Sequence, residues 1–314
     1  MRLLHSANEL RPDSRKVCLA IGVFDGVHLG HQQIIRQTVA DARQHDGLAV
    51  VLTFDRHPSA IVAPDRVPPL IYSLPQKVRA IEALGADALL LLRFDQAFSA
   101  QTGESFIREL ARDLGAIHSI CVGADFVFGH QRSGNVALLQ KLGAELNFTV
   151  HGIAAVALDG QVVSSTRVRE AIRTGDFDAA NQMLGRPYSL AATIVTGDQV
   201  GHQLGFPTAN LETTGFVLPP NGVYAAQASV SGRTHHAVVN LGHRPTLRQP
   251  TPQLRVEVHL LDFEGQIYGQ EMEVTFVARL RAELKFPSLD ALREQIDCDV
   301  TAARNLMEPS PRAV

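Results

Sequence analysis

The chain has 314 residues, of which 45% are hydrophobic and 19% charged, and its formal net charge at pH 7 is -3. A chain of this length usually exceeds a single core, so two domains are expected. The slightly acidic balance argues against a broad attraction to nucleic acid or to an anionic membrane, while leaving room for a local phosphate pocket.

Cysteine usage and the apolar runs favour a cytoplasmic protein without a membrane partner. Cys18, Cys121 and Cys298 are scattered and lack the spacing of a disulfide framework or a zinc site. The N-terminal residues lack the apolar region of a signal peptide. The longest apolar stretch, Ala88–Leu92, is far too short to span a bilayer and instead indicates a buried strand.

The first half of the chain alternates strand-like runs with segments of helical spacing. The strand-like runs are Val17–Gly22, Leu48–Phe54, Ala88–Phe94 and His118–Gly123. This order predicts a parallel sheet covered by helices on both faces, with ligands at the carboxyl ends of its strands. Two glycine-rich segments, Gly22–Gln32 and Gly123–Gly134, would lie at that edge.

After about Arg186 the pattern changes to two-residue alternation broken by Ser-Gly and Glu-Gly turns. This pattern predicts antiparallel strands that form a small barrel or a sandwich. A final helix is predicted to begin near Ser288, which would be its N-cap. We therefore expect one α/β domain of residues 1–186 and a second domain of residues 187–314.

Two histidines follow the first strand in the segment GVFDGVHLGH. His28 and His31 are three residues apart, so both imidazoles can share the face of a helix that begins there. Gly26 and Gly30 permit close backbone approach, and a helix N-terminus attracts anions such as a triphosphate. The alternative is a solvated helix start. A zinc site here would need further ligands, which the spacing of the other Cys and His residues does not offer.

A second anion-binding segment is predicted in SSTRVREAI, which opens a later helix. Ser164 or Ser165 could cap this helix, and Arg167 or Arg169 could join the free N–H groups in holding an anion. The alternative is an ordinary capped helix with surface arginines.

Together these segments resemble the HxGH nucleotidyltransferase superfamily and, more closely, the FAD synthetase module of bacterial bifunctional riboflavin kinase/FAD synthetases. GADFVFG matches the G-x-D-F-x-F-G stretch of that module. The resemblance implies a Rossmann-like nucleotidyltransferase sheet in which His28 and His31 are catalytic and bind the ATP phosphates. The nucleotide-binding residues that it implies are Gly22, Phe24, Asp25, Gly30, Ser165, Thr166 and Arg169. Asp125 and Phe126 would line the nucleotide or flavin cleft, with flavin binding as their assigned role, and Arg56, where the family more often has Pro, receives no role.

The second half contains a further unusual segment, VTGDQVGHQLGFPTANL. Its glycines would let backbone amides approach phosphate, while Thr208 and Asn210 offer oxygen atoms suitable for Mg²⁺. The alternative is an ordinary loop. In LRVEVHLL, Glu257 points away from the face shared by Val256 and Val258, which by itself is typical of a solvent-facing strand glutamate.

The segment GFPTAN, together with PPNGVYAA and VEVHLLDFEGQIYGQ, resembles the riboflavin kinase barrel of the same family, which a C-terminal helix follows. The resemblance implies that Glu257 is the catalytic base and that Thr208 and Asn210 bind the metal. The implied nucleotide-binding residues are Gly197, Gly201, His202 and Gly205, and the implied flavin-binding residues are Arg281, Glu283 and Phe286. His202 stands where the family usually has Arg, which puts kinase efficiency in question because histidine is only fractionally charged at neutral pH.

The predicted activity is phosphorylation of riboflavin to FMN, followed by adenylylation of FMN to FAD with release of pyrophosphate. Both steps would use ATP with Mg²⁺, in a monomer or weak homo-oligomer whose partners are small molecules. One alternative is that only one module is active. Another is a flavin sensor that consumes no ATP, or a nucleic-acid-binding barrel. The acidic balance, the absence of Trp and a count of only 4 Tyr argue against nucleic acid.

Overall fold

The computed structural model describes residues 1–10, 15–197, 205–243 and 254–307. The chain forms two compact units, Met1–Val168 and Arg169–Val314. The predicted domain boundary after residue 186 stays a prediction. Among the described residues, no helix combines the length and the apolar character needed to cross a bilayer.

The first unit is built on a parallel sheet of six strands. Its strands are β1 (Arg2–Leu4), β2 (Val17–Ile21), β3 (Leu48–Phe54), β4 (Ala88–Leu92), β5 (Ile117–Gly123) and β8 (Thr149–Ile153). Their order across the sheet is β1-β4-β3-β2-β5-β8. The chain proceeds outward from β2 through β3 to β4 and then returns to place β5 on the other side of β2. Strand order therefore reverses between β2 and β5, where sheets of this kind bind ligands.

Helices cover both faces of this sheet, as the alternating pattern predicted. They are α1 (Leu29–Gln44), α2 (Ser59–Val62), α3 (Leu74–Glu82), α4 (Gln96–Ser99), α5 (Gly103–Leu114) and α6 (Val136–Leu146). On one face Leu19 packs with Ile107 of α5. On the other face Ala20 packs with Ile35 of α1. Because neighbouring residues of β2 enter different cores, this strand is apolar throughout instead of alternating.

Four short strands and two further helices complete the elements before the barrel. One strand pair lies between β5 and α6, and the other pair and the two helices come after β8. The strand pairs are β6 (Val127–Phe128) with β7 (Gly134–Asn135), and β9 (Ala157–Leu158) with β10 (Gln161–Val162). The helices are α7 (Ser165–Thr174), within which the division between the two units falls, and α8 (Phe177–Leu184) of the second unit.

The second unit contains a closed barrel of six antiparallel strands, which confirms the barrel implied by the family resemblance and excludes the sandwich that alternation had left open. Its strands are β11 (Ser189–Val195), β12 (Ala209–Leu211), β13 (Gly222–Val230), β14 (Arg233–His243), β15 (Leu254–Leu260) and β16 (Glu271–Arg281). Their order around the barrel is β11-β12-β15-β14-β13-β16. A C-terminal helix, α9 (Leu289–Met307), follows. The Ser288 hydroxyl accepts a hydrogen bond from the backbone N–H of Ala291 at 3.2 Å, which confirms the predicted N-cap.

The barrel has a packed interior and an outer face that α9 partly covers. Val239 and Val258 are cross-strand partners and are fully buried. On the outer face Val238 packs in one cluster with Ala303 of α9. Asn240 lies two residues after Val238 on β14 and therefore shares its face. This register places the candidate kinase residues on the outside of the barrel.

Candidate active sites

The two motif histidines are in contact where β2 passes into α1. His28 occupies the N-cap position of α1 and is buried, and its ring stacks on His31 with centroids 3.6 Å apart. The edge of Phe24 meets the His31 ring at 5.3 Å. The turn that holds these rings is tightly folded, because φ is +52° at Phe24 and +75° at Gly26, in the left-handed region.

Asp25 and Gly22 support this turn from within the protein. The Asp25 carboxylate is buried and accepts hydrogen bonds from the backbone N–H groups of Ile71 and Tyr72, at 3.1 and 3.2 Å. A Cβ on Gly22 would lie 2.9 Å from the Phe24 ring. The structure thus gives both residues a role in shaping the turn, and direct contact of either one with a nucleotide stays a prediction.

The second predicted anion-binding segment meets the same turn. The Ser165 hydroxyl donates to the backbone carbonyl of Asp25 at 3.1 Å. Ser164 is the helix cap, since its hydroxyl accepts from the backbone N–H of Arg167 at 3.3 Å. Thr166 is exposed, whereas Arg169 is buried and belongs to the second unit. Two segments far apart in the sequence therefore converge beside the histidines.

The flavin-cleft candidates lie at the neighbouring strand end. Asp125 is exposed directly after β5, and Phe126 is half-buried and stacks on Phe128 with centroids 5.1 Å apart. Because β2 and β5 are parallel neighbours, these residues and the histidine turn occupy the same edge of the sheet. Arg56 is paired with its neighbour Asp55 at 2.9 Å, so the structure adds no ligand role for it.

Sequence reasoning missed Lys77 of α3, which reaches this edge. Its ammonium donates to the Val23 carbonyl at 3.4 Å, to the Thr53 hydroxyl at 3.3 Å and to the Phe54 carbonyl at 3.2 Å. The lysine therefore ties the end of β3 to the turn after β2. Burial lowers the pKa of Lys77 to about 8, although Asp25 and Asp55 act in the opposite direction.

Replacing Lys77 by Met is expected to remove a pH-dependent part of the stability. The unfolded chain releases this proton near pH 10.5 and the folded chain near pH 8. Between these values the unfolded state binds more protons than the folded state, so the free energy of unfolding of the wild type should rise with pH. The rise should amount to up to about 3 kcal/mol and should be absent from Lys77→Met. Urea unfolding at several pH values measures this difference. Lys141→Met, at a side chain that is 69% exposed, is the control; parallel pH profiles for wild type and Lys77→Met would contradict the expectation.

In the barrel, the strand register aligns the main kinase candidates. Asn210 of β12 is the cross-strand partner of Glu257 on β15, and Glu257 is in turn the partner of Asn240 on β14. Cross-strand partners project from the same face of a sheet, so these three side chains form one row on the outside of the barrel. Val256 and Val258 are buried while Glu257 is partly exposed, which confirms the predicted orientation of this glutamate.

The side-chain amide of Asn210 packs directly against the backbone of Gly197. A Cβ at Gly197 would overlap the Asn210 side-chain amide nitrogen and lie only 2.6 Å from its Cγ. The side chain of Asn210 is itself buried, so it has little room to retreat. Any side chain larger than glycine at position 197 would therefore displace the amide of Asn210.

Gly197→Ala is accordingly expected to lower riboflavin kinase activity at least tenfold and to cost about 1–3 kcal/mol of stability through overpacking. Adenylylation of supplied FMN should change little, because the altered contact lies within the barrel unit. Paired assays and thermal unfolding check this. Gly152→Ala, where the added Cβ would meet its nearest neighbour at 3.5 Å, is the control. Unchanged kinase activity in Gly197→Ala would show that the amide position is unimportant.

The turn that precedes Asn210 is held by His259, another residue that sequence reasoning missed. Its Nδ1 lies 2.8 Å from the Pro207 carbonyl, which assigns the ring proton to that nitrogen, and its ring meets Phe206 edge-on at 5.5 Å. Alternation along β15 puts His259 on the same face as Glu257. Thr208 is half-buried in the same turn. The remaining predicted phosphate residues, Gly201 and His202, lie outside the described residues, and Gly205 is exposed with φ +89°.

The predicted flavin residues of the second unit lie at the end of β16 and just after it. The Arg281 guanidinium forms a fork with the buried Asp299 of α9, at 2.7 to 3.0 Å, and lies 5.6 Å from the centre of the Phe286 ring. A Cβ on Gly242 would lie 2.7 Å from a carboxylate oxygen of Glu283, so this carboxylate packs over the glycine. Arg281 thus joins β16 to α9, and flavin contact by these residues stays a prediction.

Comparison with known proteins assigns each half of the chain. The FAD synthetase family model matches residues 10–167, and the riboflavin kinase family model matches residues 184–307. A protein described as a macrolide-efflux protein from Streptococcus pneumoniae has a similar crystal structure, with a TM-score of 0.80 and 28% identity; the match covers 96% of this chain and 98% of that one.

Curated relatives carry both halves in one chain. The bifunctional riboflavin kinase/FMN adenylyltransferase of Pseudomonas fluorescens is 36% identical over 99% of both chains. The proteins of the same description from Haemophilus influenzae and Escherichia coli K12 are 36% and 35% identical, each over 97% of both chains. With matches of this extent to both family models and to full-length relatives, the chain belongs to the bifunctional riboflavin kinase/FMN adenylyltransferase family.

Proposed function

We propose that this chain converts riboflavin to FMN on the barrel and FMN to FAD at the histidine turn, using ATP in each step. The observation that carries the kinase assignment is the row of Asn210 and Glu257 on paired strands. The contact between the stacked histidine turn and Ser165 supports the adenylyltransferase assignment. We place both reactions in the cytoplasm, in a monomer or weak homo-oligomer that uses small-molecule substrates.

In the kinase step Glu257 acts as the general base. Its carboxylate accepts the proton of the ribityl 5′-hydroxyl as the hydroxyl oxygen attacks the γ-phosphorus of ATP, and ADP leaves. Asn240 flanks Glu257 on one side and Asn210 on the other, so both amides can orient groups beside the base. His259 keeps the turn before Asn210 in place through the Pro207 carbonyl.

The oxygen donors at one end of this row and in the turn before it fit Mg²⁺, which prefers oxygen ligands. Asn210 supplies the oxygen of an amide that packs against Gly197, and Thr208 supplies a hydroxyl from the same turn. When bound, the ion neutralises charge on the transferred phosphate. Thr208 and Asn210 are therefore the residues that we assign to it.

In the adenylylation step the phosphate of FMN attacks the α-phosphorus of ATP, and pyrophosphate leaves. The nucleophile is already anionic at pH 7, so this step needs alignment and charge stabilisation more than a strong base. His28 and His31 can donate hydrogen bonds to the phosphoryl oxygens from the start of α1, where backbone N–H groups also favour anions.

A time course with separation of flavins tests the proposal. The full chain is incubated with riboflavin, excess ATP and Mg²⁺, and we expect FMN to appear first and FAD to follow. A parallel reaction starts from FMN. Formation of FAD from FMN but no FMN from riboflavin would refute the kinase assignment, and binding of the flavin without consumption of ATP in both reactions would refute both.

A further inference from the structure

A cluster of ionisable side chains surrounds one buried carboxylate at the C-terminal end of α1, away from the nucleotide turn. The Asp41 side chain is only 8% exposed. His45 Nδ1 lies 3.2 Å from Asp41 Oδ1, and His151 Nε2 lies 3.6 Å from Asp41 Oδ2. The ring of His118, at the start of β5, lies 4.0 Å from the ring of His45. Three imidazole rings thus surround the Asp41 carboxylate, whereas an ordinary ion pair would need only one of them.

The ligand atoms of Asp41, His45 and His118 are already close together. One atom from each residue can be chosen so that all three lie within 4.8 Å of one another. Ligands of a tetrahedral zinc ion are about 3.3 Å apart, given bonds of 2.0–2.2 Å. Closing the cluster to this spacing requires a rotation of the His45 side chain, which is 37% exposed and whose Nδ1 lies 2.9 Å from the backbone carbonyl of Asp41.

The surroundings of Asp41 also suit a metal ligand. The Ser119 hydroxyl donates a hydrogen bond to Oδ2 of Asp41. This contact orients the carboxylate and leaves Oδ1 on the side of His45, as outer-sphere partners do at known metal centres.

We propose that Asp41, His45 and His118 form a binding site for one divalent transition-metal ion of the Zn²⁺ class, with His151 beside it. Two or three nitrogen donors with one carboxylate favour Zn²⁺ or its borderline relatives over Mg²⁺ and Ca²⁺, which take mainly oxygen ligands. The ion joins the end of α1 to β5 and is independent of the two proposed reactions.

Zinc binding by the full-length protein, stripped with a chelator, tests the proposal. Isothermal titration with Zn²⁺ compares the wild type with the double variant His45→Gln/His118→Gln. The matched control is His5→Gln/His130→Gln, which removes two exposed histidines of the same unit elsewhere in the structure. We expect the wild type and the control to bind one more Zn²⁺ than the double variant, and each single variant to bind at this site at least about tenfold more weakly. Equal stoichiometry and affinity in all proteins would overturn the site.

Co²⁺ provides a second readout that separates a formed site from scattered surface histidines. A four-coordinate site gives intense visible absorption bands, which we expect in the wild type and in the control but not in His45→Gln/His118→Gln. Circular dichroism and FAD formation from FMN report whether the variants are folded. If the double variant does not fold, His45→Gln, at a 37% exposed side chain, serves instead. Only weak six-coordinate absorption in the wild type would overturn the proposal.

Discussion

Glu257→Gln is expected to lower the conversion of riboflavin to FMN by about 10²–10⁴-fold, the usual contribution of a general base. Glutamine keeps the shape and the hydrogen-bonding reach of the side chain but cannot accept the substrate proton. Conversion of supplied FMN to FAD should remain at the wild-type rate, because Glu257 lies in the barrel unit. Separate assays of the two steps, with kcat and KM for riboflavin, make the measurement.

Glu264→Gln is the matched control for this variant. Glu264 is an exposed glutamate a few residues after the same strand, so its replacement changes net charge equally without touching the row. A loss of kinase activity in both variants would point to a general charge effect. Normal kinase turnover in Glu257→Gln would remove the residue from the role of base.

His31→Asn is expected to lower the adenylylation of FMN by about 10²–10³-fold, the typical cost of losing a donor that stabilises transition-state charge. The effect should be larger on kcat than on KM for ATP, since the imidazole is expected to stabilise the charge that develops in the transition state more strongly than it binds the ground-state phosphates. Riboflavin phosphorylation should be unaffected. Steady-state kinetics with FMN and ATP, followed by pyrophosphate release, check the split between kcat and KM.

His5→Asn provides the comparison for this second variant, because His5 is exposed and lies in the same unit outside both glycine-rich segments. Thermal unfolding should give similar midpoints for both variants, since His31 is only partly buried. Turnover at the wild-type rate in His31→Asn would leave the stacked histidines with a structural role alone.

Local periodicity and turn chemistry were sufficient to predict much of the fold. The apolar run of β2 and the glycine turn after it indicated a buried parallel strand, and alternation along β15 correctly gave the outward direction of Glu257. The closed barrel, by contrast, depends on β16 pairing with both β11 and β13. Alternation within one strand carries no information about its neighbours, so periodicity alone could not separate the barrel from a sandwich; the barrel was implied by the family resemblance.

The residues that sequence reasoning missed act across long separations in the chain. Lys77 supports the nucleotide turn from α3, and His259 holds a turn that lies on another strand. The contact of Asp25 with the nucleotide stays a prediction, while the hydrogen bond of its carboxylate to the backbone N–H of Ile71 was not foreseen. None of these partners is recognisable from spacing, because the topology of the sheet and the barrel brings them together.

The same reason explains why no zinc site was expected. Spacing rules find ligands that are close in sequence, whereas Asp41 and His45 come from the end of α1 and His118 comes from β5. Only the packing of α1 against the sheet makes them neighbours. A motif of this kind has no sequence signature beyond the i, i+4 spacing of its first two members.

Closure of the barrel by its last strand has a consequence for biosynthesis. The parallel sheet has all of its strands by Ile153 and the first unit is complete at Val168, so this unit can fold while the barrel is being made. The barrel has to wait for β16, which pairs with strands made long before it. Until then β11 and β13 each have an unpaired edge, a form that associates readily with other nascent chains. Stalled synthesis just before Glu271 should therefore yield an ordered first unit and an aggregation-prone second one.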